Sequence, residues 1–328
     1  MTGWTLVLDE QGRVQTGSAR AADRSSAPAL FSWFHFHGRR EDALAWLQAH
    51  TRLPETVLSA LTATETRPRS EHIGPGALVN LRGLKEEAAN GEAELDFNGG
   101  DPLVSIRLWA DQGRAISVSF RKLGGLEELR ERMEASRIRD PGDLIANLAM
   151  IITARFDPVV ADLGDLIDEC EVSLDPGHAF EMRRLITRAR SRAIAYRRFV
   201  APQRQALERM AEFNLDWLEE GDRLHLREAA DRFARMAEEL EAVRERSALL
   251  HEQLTDLRAE QTETRTLLIA IVALVFLPLT FLTGLLGMNV EGIPFAHARW
   301  AFWGVVILCA GIALAISAYF IRSHWVKH

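Results

Sequence analysis

The sequence predicts an α+β membrane protein: an N-terminal cytoplasmic α/β domain, a helical hairpin, and a very long stalk helix continuing into the first of two C-terminal transmembrane helices. Three observations predict it. Residues 267–286 are twenty consecutive residues without a formal charge, and a second uncharged run covers residues 300–321; each is about the length at which an α-helix crosses roughly 30 Å of hydrocarbon. Neither Pro nor Gly occurs between residues 223 and 275, so one helix is expected from a cap near Asp222 to about Leu286, about 95 Å long at the helical rise. Before residue 120, short β-type runs alternate with short helical ones, the pattern of a layered α/β or α+β domain.

In order, WTLVLD (4–9), SWFHFH (32–37), ALVNL (77–81), LVSIRLW (103–109) and AISVSF (115–120) read as strands, and EDALAWLQAH (41–50) and ETVLSALTA (55–63) as helices. The polar stretch 84–100, with Asn90-Gly91 and Gly99-Gly100, reads as a hairpin or loop excursion. His35 and His37 lie two apart on a candidate strand and share a face. No third ligand accompanies them in the sequence, and strand packing rather than a metal is the expectation.

After Gly124 the chain turns helical. Pro141 behind Asp140 is a helix start, and residues 143–172 fit one long helix carrying Asp157, Asp162, Asp165, Asp168, Glu169 and Glu171. Asp175-Pro176-Gly177 turns the chain, and a partner helix from about Ala179 carries eight arginines and no acid between Glu181 and Glu208. In one reading these charges lie on solvated faces and bridge each other. In the other, the acidic face concentrates cations or the arginine face meets anionic headgroups. On the stalk, Leu240, Val243, Leu250, Leu254 and Leu257 form an apolar seam that is expected to pack against copies or neighbours.

The predicted boundaries are 1–136 for the α/β domain, 137–265 for the hairpin and stalk, 266–289 and 300–321 for the spans, 290–299 for an external loop and 322–328 for a basic tail. The connection between the spans is too short for a domain, so both chain ends lie on one side of the bilayer. The N-terminus lacks a basic segment followed by an apolar core, and Lys and Arg flank the hairpin's ends more densely than its connection, so that side is the cytoplasm. The net charge of −7 falls entirely on the aqueous part, which argues against nucleic acid and suits cations. Cys170 and Cys309 form no disulfide framework and are expected as small buried hydrophobes. No P-loop, GxSxG or HExxH sequence occurs, so an enzyme is not expected.

Gly287-Met288-Asn289 at the end of the first of two C-terminal spans, followed by a brief basic tail, resembles the CorA superfamily of divalent-cation transporters. Within it the chain is similar to the ZntB zinc transporters, through VFLPLTFLTGLLGMN (275–289), GIP (292–294), RSHWVKH (322–328), TRPR (66–69) and RRFVAPQR (197–204). The resemblance implies a homopentamer in the bacterial inner membrane, with stalk helices whose membrane ends line a pore, and zinc uptake coupled to the proton gradient. No resident cofactor is implied; the transported ion is Zn²⁺, with Cd²⁺, Ni²⁺ and Co²⁺ as further substrates. Met288 agrees with the magnesium-type CorA motif, which gives a Mg²⁺/Co²⁺ channel as the alternative. A membrane-anchored coiled-coil sensor or scaffold is the alternative of another class.

Counting back from Asn289 at helical spacing, the stripe that would face the lumen is Gly284, Thr280, Leu277, Ala273, Ile269 and Thr266, which is also the stripe the resemblance implies. Thr280 and Asn289 offer oxygens to ion-bound water, and Leu277 and Ile269 offer dry constrictions. No carboxylate lies on this stripe, and stripping a divalent ion of water would need hard or charged ligands. The expected substrate is therefore an ion still largely hydrated, touching Asn289 through its water. Gly287, Met288, Asn289 and Glu291 form the pore entrance, with Glu291 giving a ring of negative charge when repeated around copies. Pro278 frees a carbonyl in the preceding turn and marks a kink or hinge. Glu252, Asp256, Glu260 and Glu263 are stalk acids where metal or protons would shift packing.

Overall fold

The computed structural model describes residues 2–18, 29–64, 67–86, 101–288 and 298–325. The chain forms two compact units, one of residues 1–174 and 180–251 and one of residues 175–179 and 252–328. The expected excursion at 84–100 lies for the most part outside the described residues.

The first unit holds a seven-stranded mixed sheet. Its strands are β1 (Thr2–Asp9), β2 (Val14–Ser18), β3 (Ala29–His37), β4 (Arg69–Ile73), β5 (Gly76–Leu84), β6 (Leu103–Asp111) and β7 (Arg114–Ser119), in the order β2-β1-β3-β7-β6-β5-β4. β3 and β7 run parallel, and the other neighbours are antiparallel. One face is covered by α1 (Arg40–His50) and α2 (Glu55–Leu61), whose Trp46, Leu47, Val57 and Leu61 pack on Phe36, Leu78, Trp109 and Ile116. The other face takes α4 (Pro141–Val172), which follows α3 (Leu126–Glu134). Gly83 lets α4 approach β5: a Cβ there would fall 2.8 Å from Leu123 and 3.2 Å from Ile152.

Two strands were not expected from the sequence. β2 and β4 are the sheet's edges, half exposed, and VQTGS and RSEHI show no apolar alternation. β5 runs past the expected Leu81 because its charged residue is buried: Arg82 is 4% exposed, with Asp101 at its guanidinium and Phe199 3.9 Å beneath it. Where β4 has ended, Gln203 continues the ladder, accepting from Arg82 N (2.7 Å) and donating to Arg82 O (2.8 Å).

α4 begins as expected, with Pro141 in its first turn and Asp140 accepting from Asp143 N at 2.8 Å. Its apolar stretch is long enough to cross a membrane, yet Leu144, Leu148, Ile151, Ile152 and Phe156 are buried in this unit, so it is a core helix. A 3-10 turn at Pro176–His178 leads to α5 (Ala179–Glu212), and α6 (Glu220–Leu286) runs unbroken for 67 residues. α6 starts against α4. A Cβ on Gly142 would fall 2.2 Å from Asp222 Oδ2, so only glycine fits, and Asp222 accepts from Glu219 N at 3.0 Å. Burial, then the neighbouring Asp140, push the Asp222 carboxyl up to about 7.

The reading in which the charges of the two helices bridge each other needs correction. Among the described residues, no acid of α4 pairs with an arginine of α5. The bridges run through α6, where Arg246 takes Asp168 and Glu171, and Glu241 takes Arg197 at 3.0 Å. The seam residues Leu240, Val243, Leu250 and Leu254 are buried within the single chain and Leu257 is half-buried, so the seam gives no argument for further copies.

The histidines follow the packing expectation. His35 is 1% exposed and its ring lies 5.1 Å from that of Trp4, tilted to it; its Nδ1 lies 2.8 Å from Ser117 Oγ and its Nε2 3.4 Å from Ser119 Oγ. Both ring nitrogens are occupied, and burial pushes its pKa down to about 3.

Candidate functional site

In the second unit, the membrane-length part of α6 is joined by α7 (Ala301–Trp325), and both most apolar stretches are uncovered by the chain itself. On α6 the half-buried positions of the apolar stretch are Leu267, Ile271, Val275, Pro278, Leu279, Leu282 and Leu286, all but Pro278 recurring every three or four residues. On α7 they include Val305, Cys309, Ile312 and Ile316, with the same recurrence. That spacing gives each helix one packed face.

The six stripe residues lie on the other side. Thr266, Ile269, Ala273, Leu277, Thr280 and Gly284 are all exposed, and at about 100° per residue their mean direction is roughly opposite that of the packed set. Ile269 is 70% and Leu277 75% exposed, so neither is a core residue of this chain. A Cβ on Gly284 would meet nothing within 4 Å. Leu277 and Thr280 border an apolar hollow of about 820 Å³ with Leu274, Pro278, Phe281 and Ile316.

Hydroxyls along the stripe are used differently. Thr266 Oγ1 donates to Thr262 O at 2.8 Å, and Thr283 Oγ1, off the stripe, donates to Leu279 O at 3.0 Å. Among the described residues, Thr280 makes no such bond back to its helix. It lies in the turn beyond Pro278, which sits inside α6 without ending it and donates no N–H to the turn before. The helix closes at Leu286, and Gly287 N donates to Thr283 O at 2.9 Å. Gly287 and Met288 are exposed, while Asn289 and Glu291 lie outside the described residues. The stalk acids Glu252, Asp256, Glu260 and Glu263 are each exposed, and among the described residues no three His, Cys, Asp or Glu side chains form a group able to hold a metal.

The sequence reading missed the sites in the first unit. Three arginines converge at the start of β4, a second cavity forms between α3, α4 and α6, and neither has a linear pattern to reveal it.

Residues 29–322 match the family described as CorA-like Mg²⁺ transporter protein. The divalent cation transporter CmaX of Pseudomonas aeruginosa is 34% identical over 319 residues, 96% of this chain and 93% of that protein. The zinc transport protein ZntB of Yersinia enterocolitica is 29% identical over 324 residues, 98% of this chain and 95% of that protein. Among solved structures, full-length CmaX superposes with a TM-score of 0.74 at 30% identity, covering 99% of this chain and 98% of that one. With two uncovered apolar helices, the first closed by Gly287-Met288, and relatives matching nearly from end to end, the chain belongs to the CorA-like family and is a divalent-cation transporter of the membrane.

Proposed function

We propose that the protein carries Zn²⁺ into the cell across the bacterial inner membrane as a homopentamer, through a pore lined by the exposed stripe of α6. The observation that carries this reading is the exposure of that stripe: Thr266, Ile269, Ala273, Leu277, Thr280 and Gly284 are left uncovered by the single chain, roughly opposite the half-buried face of α6, and they lead to Gly287-Met288. Five copies of that face would enclose a path that a lone hairpin cannot. Its chemistry is neutral, with small residues, a hydroxyl and two bulky apolar rings, so an ion passing it keeps most of its water. Asn289 would meet that water at the outer mouth, with Glu291 raising the local cation concentration. Both termini lie in the cytoplasm in this reading, the soluble unit with them, and Pro278 acts as a joint. Zinc is favoured by the full-length likeness to proteins named ZntB. The proton gradient is the proposed driving force, although neither span carries an Asp, Glu, Lys or Arg to relay a proton.

The test is ion flux into liposomes containing purified protein, for Zn²⁺, Cd²⁺, Ni²⁺, Co²⁺ and Mg²⁺, with and without a pH gradient. Zn²⁺ entry that exceeds Mg²⁺ entry and rises with an inward proton gradient is the expected result. A preference for Mg²⁺ or Co²⁺ would establish a CorA-type channel instead, the reading that Met288 favours. Flux of none of these ions would leave a membrane-anchored scaffold. Asn289→Leu removes the amide dipole at similar bulk and should abolish flux in a protein that still assembles; native flux in that variant would place selectivity elsewhere.

A further inference from the structure

TRPR and RRFVAPQR lie more than a hundred residues apart and outside both spans, and conduction gives them no role. In the fold they meet. Arg67, Pro68 and Arg69 lead into β4 where α5 crosses its end, and with Ser70 they face Pro202, Gln205 and Arg209 across a pocket of about 220 Å³. No carboxylate lines it. Arg69 has Glu71 at 3.1 Å, outside the lining, while among the described residues Arg67 and Arg209 have no acidic partner.

The walls are fixed without a ligand. Asn80 Nδ2 donates to Arg67 O at 2.8 Å, holding the rim to β5, and the Gln203 amide pins α5 to the same strand. Ser70, fully buried, lines the pocket, and its hydroxyl has no hydrogen-bond partner. The field behind the pocket is positive as well. Arg69, Asn80 and Arg107 stand in register across β4, β5 and β6, and Arg107 is pushed down to about 10 by burial first and then by Arg82, Arg69 and Arg40.

The larger cavity of this unit, about 380 Å³ between α3, α4 and α6, makes a useful contrast. There Glu128 lines the wall and takes both Arg132 (2.7 Å) and Arg155 (3.3 Å), so its positive charge is largely answered from within. In the pocket between β4 and α5 nothing in the lining does so.

We propose that this pocket binds a phosphate-type oxyanion, with Arg67, Arg69 and Arg209 donating to its oxygens and Gln205 adding an amide. Guanidinium groups suit this ligand because their planar forks match two oxygens at once. The oxyanion is either free inorganic phosphate or the phosphoryl end of a nucleotide, and the two arms of the test separate them.

Full-length protein in detergent is titrated calorimetrically with inorganic phosphate and with ATP, at constant ionic strength set with chloride. Saturable binding of one ligand per protomer is expected. Arg209→Gln and Arg67→Gln should each weaken it about tenfold or more, the loss of one charge-assisted hydrogen bond. Arg204→Gln is the control: Arg204 lies on the same helix, pairs with Glu208 at 2.8 Å and is not in the lining, so affinity should not change. Equal affinity for the two ligands identifies the phosphate group alone, and much tighter ATP binding identifies a nucleotide. No saturable binding of either ligand overturns the proposal. So does equal weakening by Arg204→Gln and Arg209→Gln, which would mean a diffuse surface charge.

Discussion

His35 and Asp222 show how burial sets protonation in the soluble unit, with opposite consequences for pH. His35 takes up a proton near 6.5 when unfolded but only near 3 when folded, because burial holds its ring neutral. The unfolded state therefore binds more protons between those values, and stability is lost as pH falls through the window, by about 2 kcal/mol from pH 6.5 to pH 5. Thermal unfolding from pH 7 to 5 should show this slope, and His35→Asn should flatten it; an unchanged slope would assign the acid sensitivity to another group. Asp222 works the other way. Folded, it keeps its proton up to about 7 because of burial and Asp140, whereas an unfolded Asp loses it near 3.8, so stability falls as pH rises between the two. Asp222→Asn keeps an acceptor for Glu219 N and removes the buried charge, so it should stabilise the protein by about 1 kcal/mol or more at pH 8 and by less at pH 6. A variant less stable than wild type at pH 8 would contradict that account. Neither behaviour was legible in the sequence: the spacing of His35 and His37 put them on one face, but only the sheet supplies Ser117 and Ser119 from β7, more than eighty residues away.

At the scale of elements, the sequence was most informative where apolar residues repeat with one period. The helices from Pro141 and from near Asp222 and the five inner strands could be read because pattern, caps and burial agree. β2 and β4 could not, because an edge strand buries little and its residues carry no alternation. The strand pairings were also hidden, since the polar residues that knit them sit on other elements. Gln203 is the clearest case: an ordinary glutamine in a helix sequence, it closes two backbone bonds of β5. Gln203→Leu should strand Arg82 N–H and C=O and cost about 2–4 kcal/mol, read as a lower denaturant midpoint. On α6 the spacing picks out six positions that the single chain leaves exposed, while Asn289 and Glu291 lie outside the described residues. If Leu277 is a dry constriction, Leu277→Ser should raise divalent leak in liposomes; unchanged flux in an assembled variant would remove it from the pore.

For the whole molecule, the proposed pore requires several copies of this chain. The stalk seam is closed within one chain, and the proposed assembly would draw on the uncovered faces of α6 and α7, where Phe276, Leu277, Phe281 and Ile307 are each more than half exposed. In gentle detergent the particle should have the mass of five chains by native mass spectrometry, and a monomer or dimer would refute the pentamer. The strand order also sets a timetable for synthesis. β3 lies between β1 and β7, yet β7 is translated about eighty residues after it, a gap of roughly 4–16 seconds at the ribosome's usual pace. During that interval Phe31, Trp33 and Phe36, all buried in the finished sheet, have only the β1 side of their strand paired. A nascent chain stalled before residue 114 should therefore be a preferred client of ribosome-associated chaperones, and one extended past residue 119 should lose that preference as the parallel pair closes.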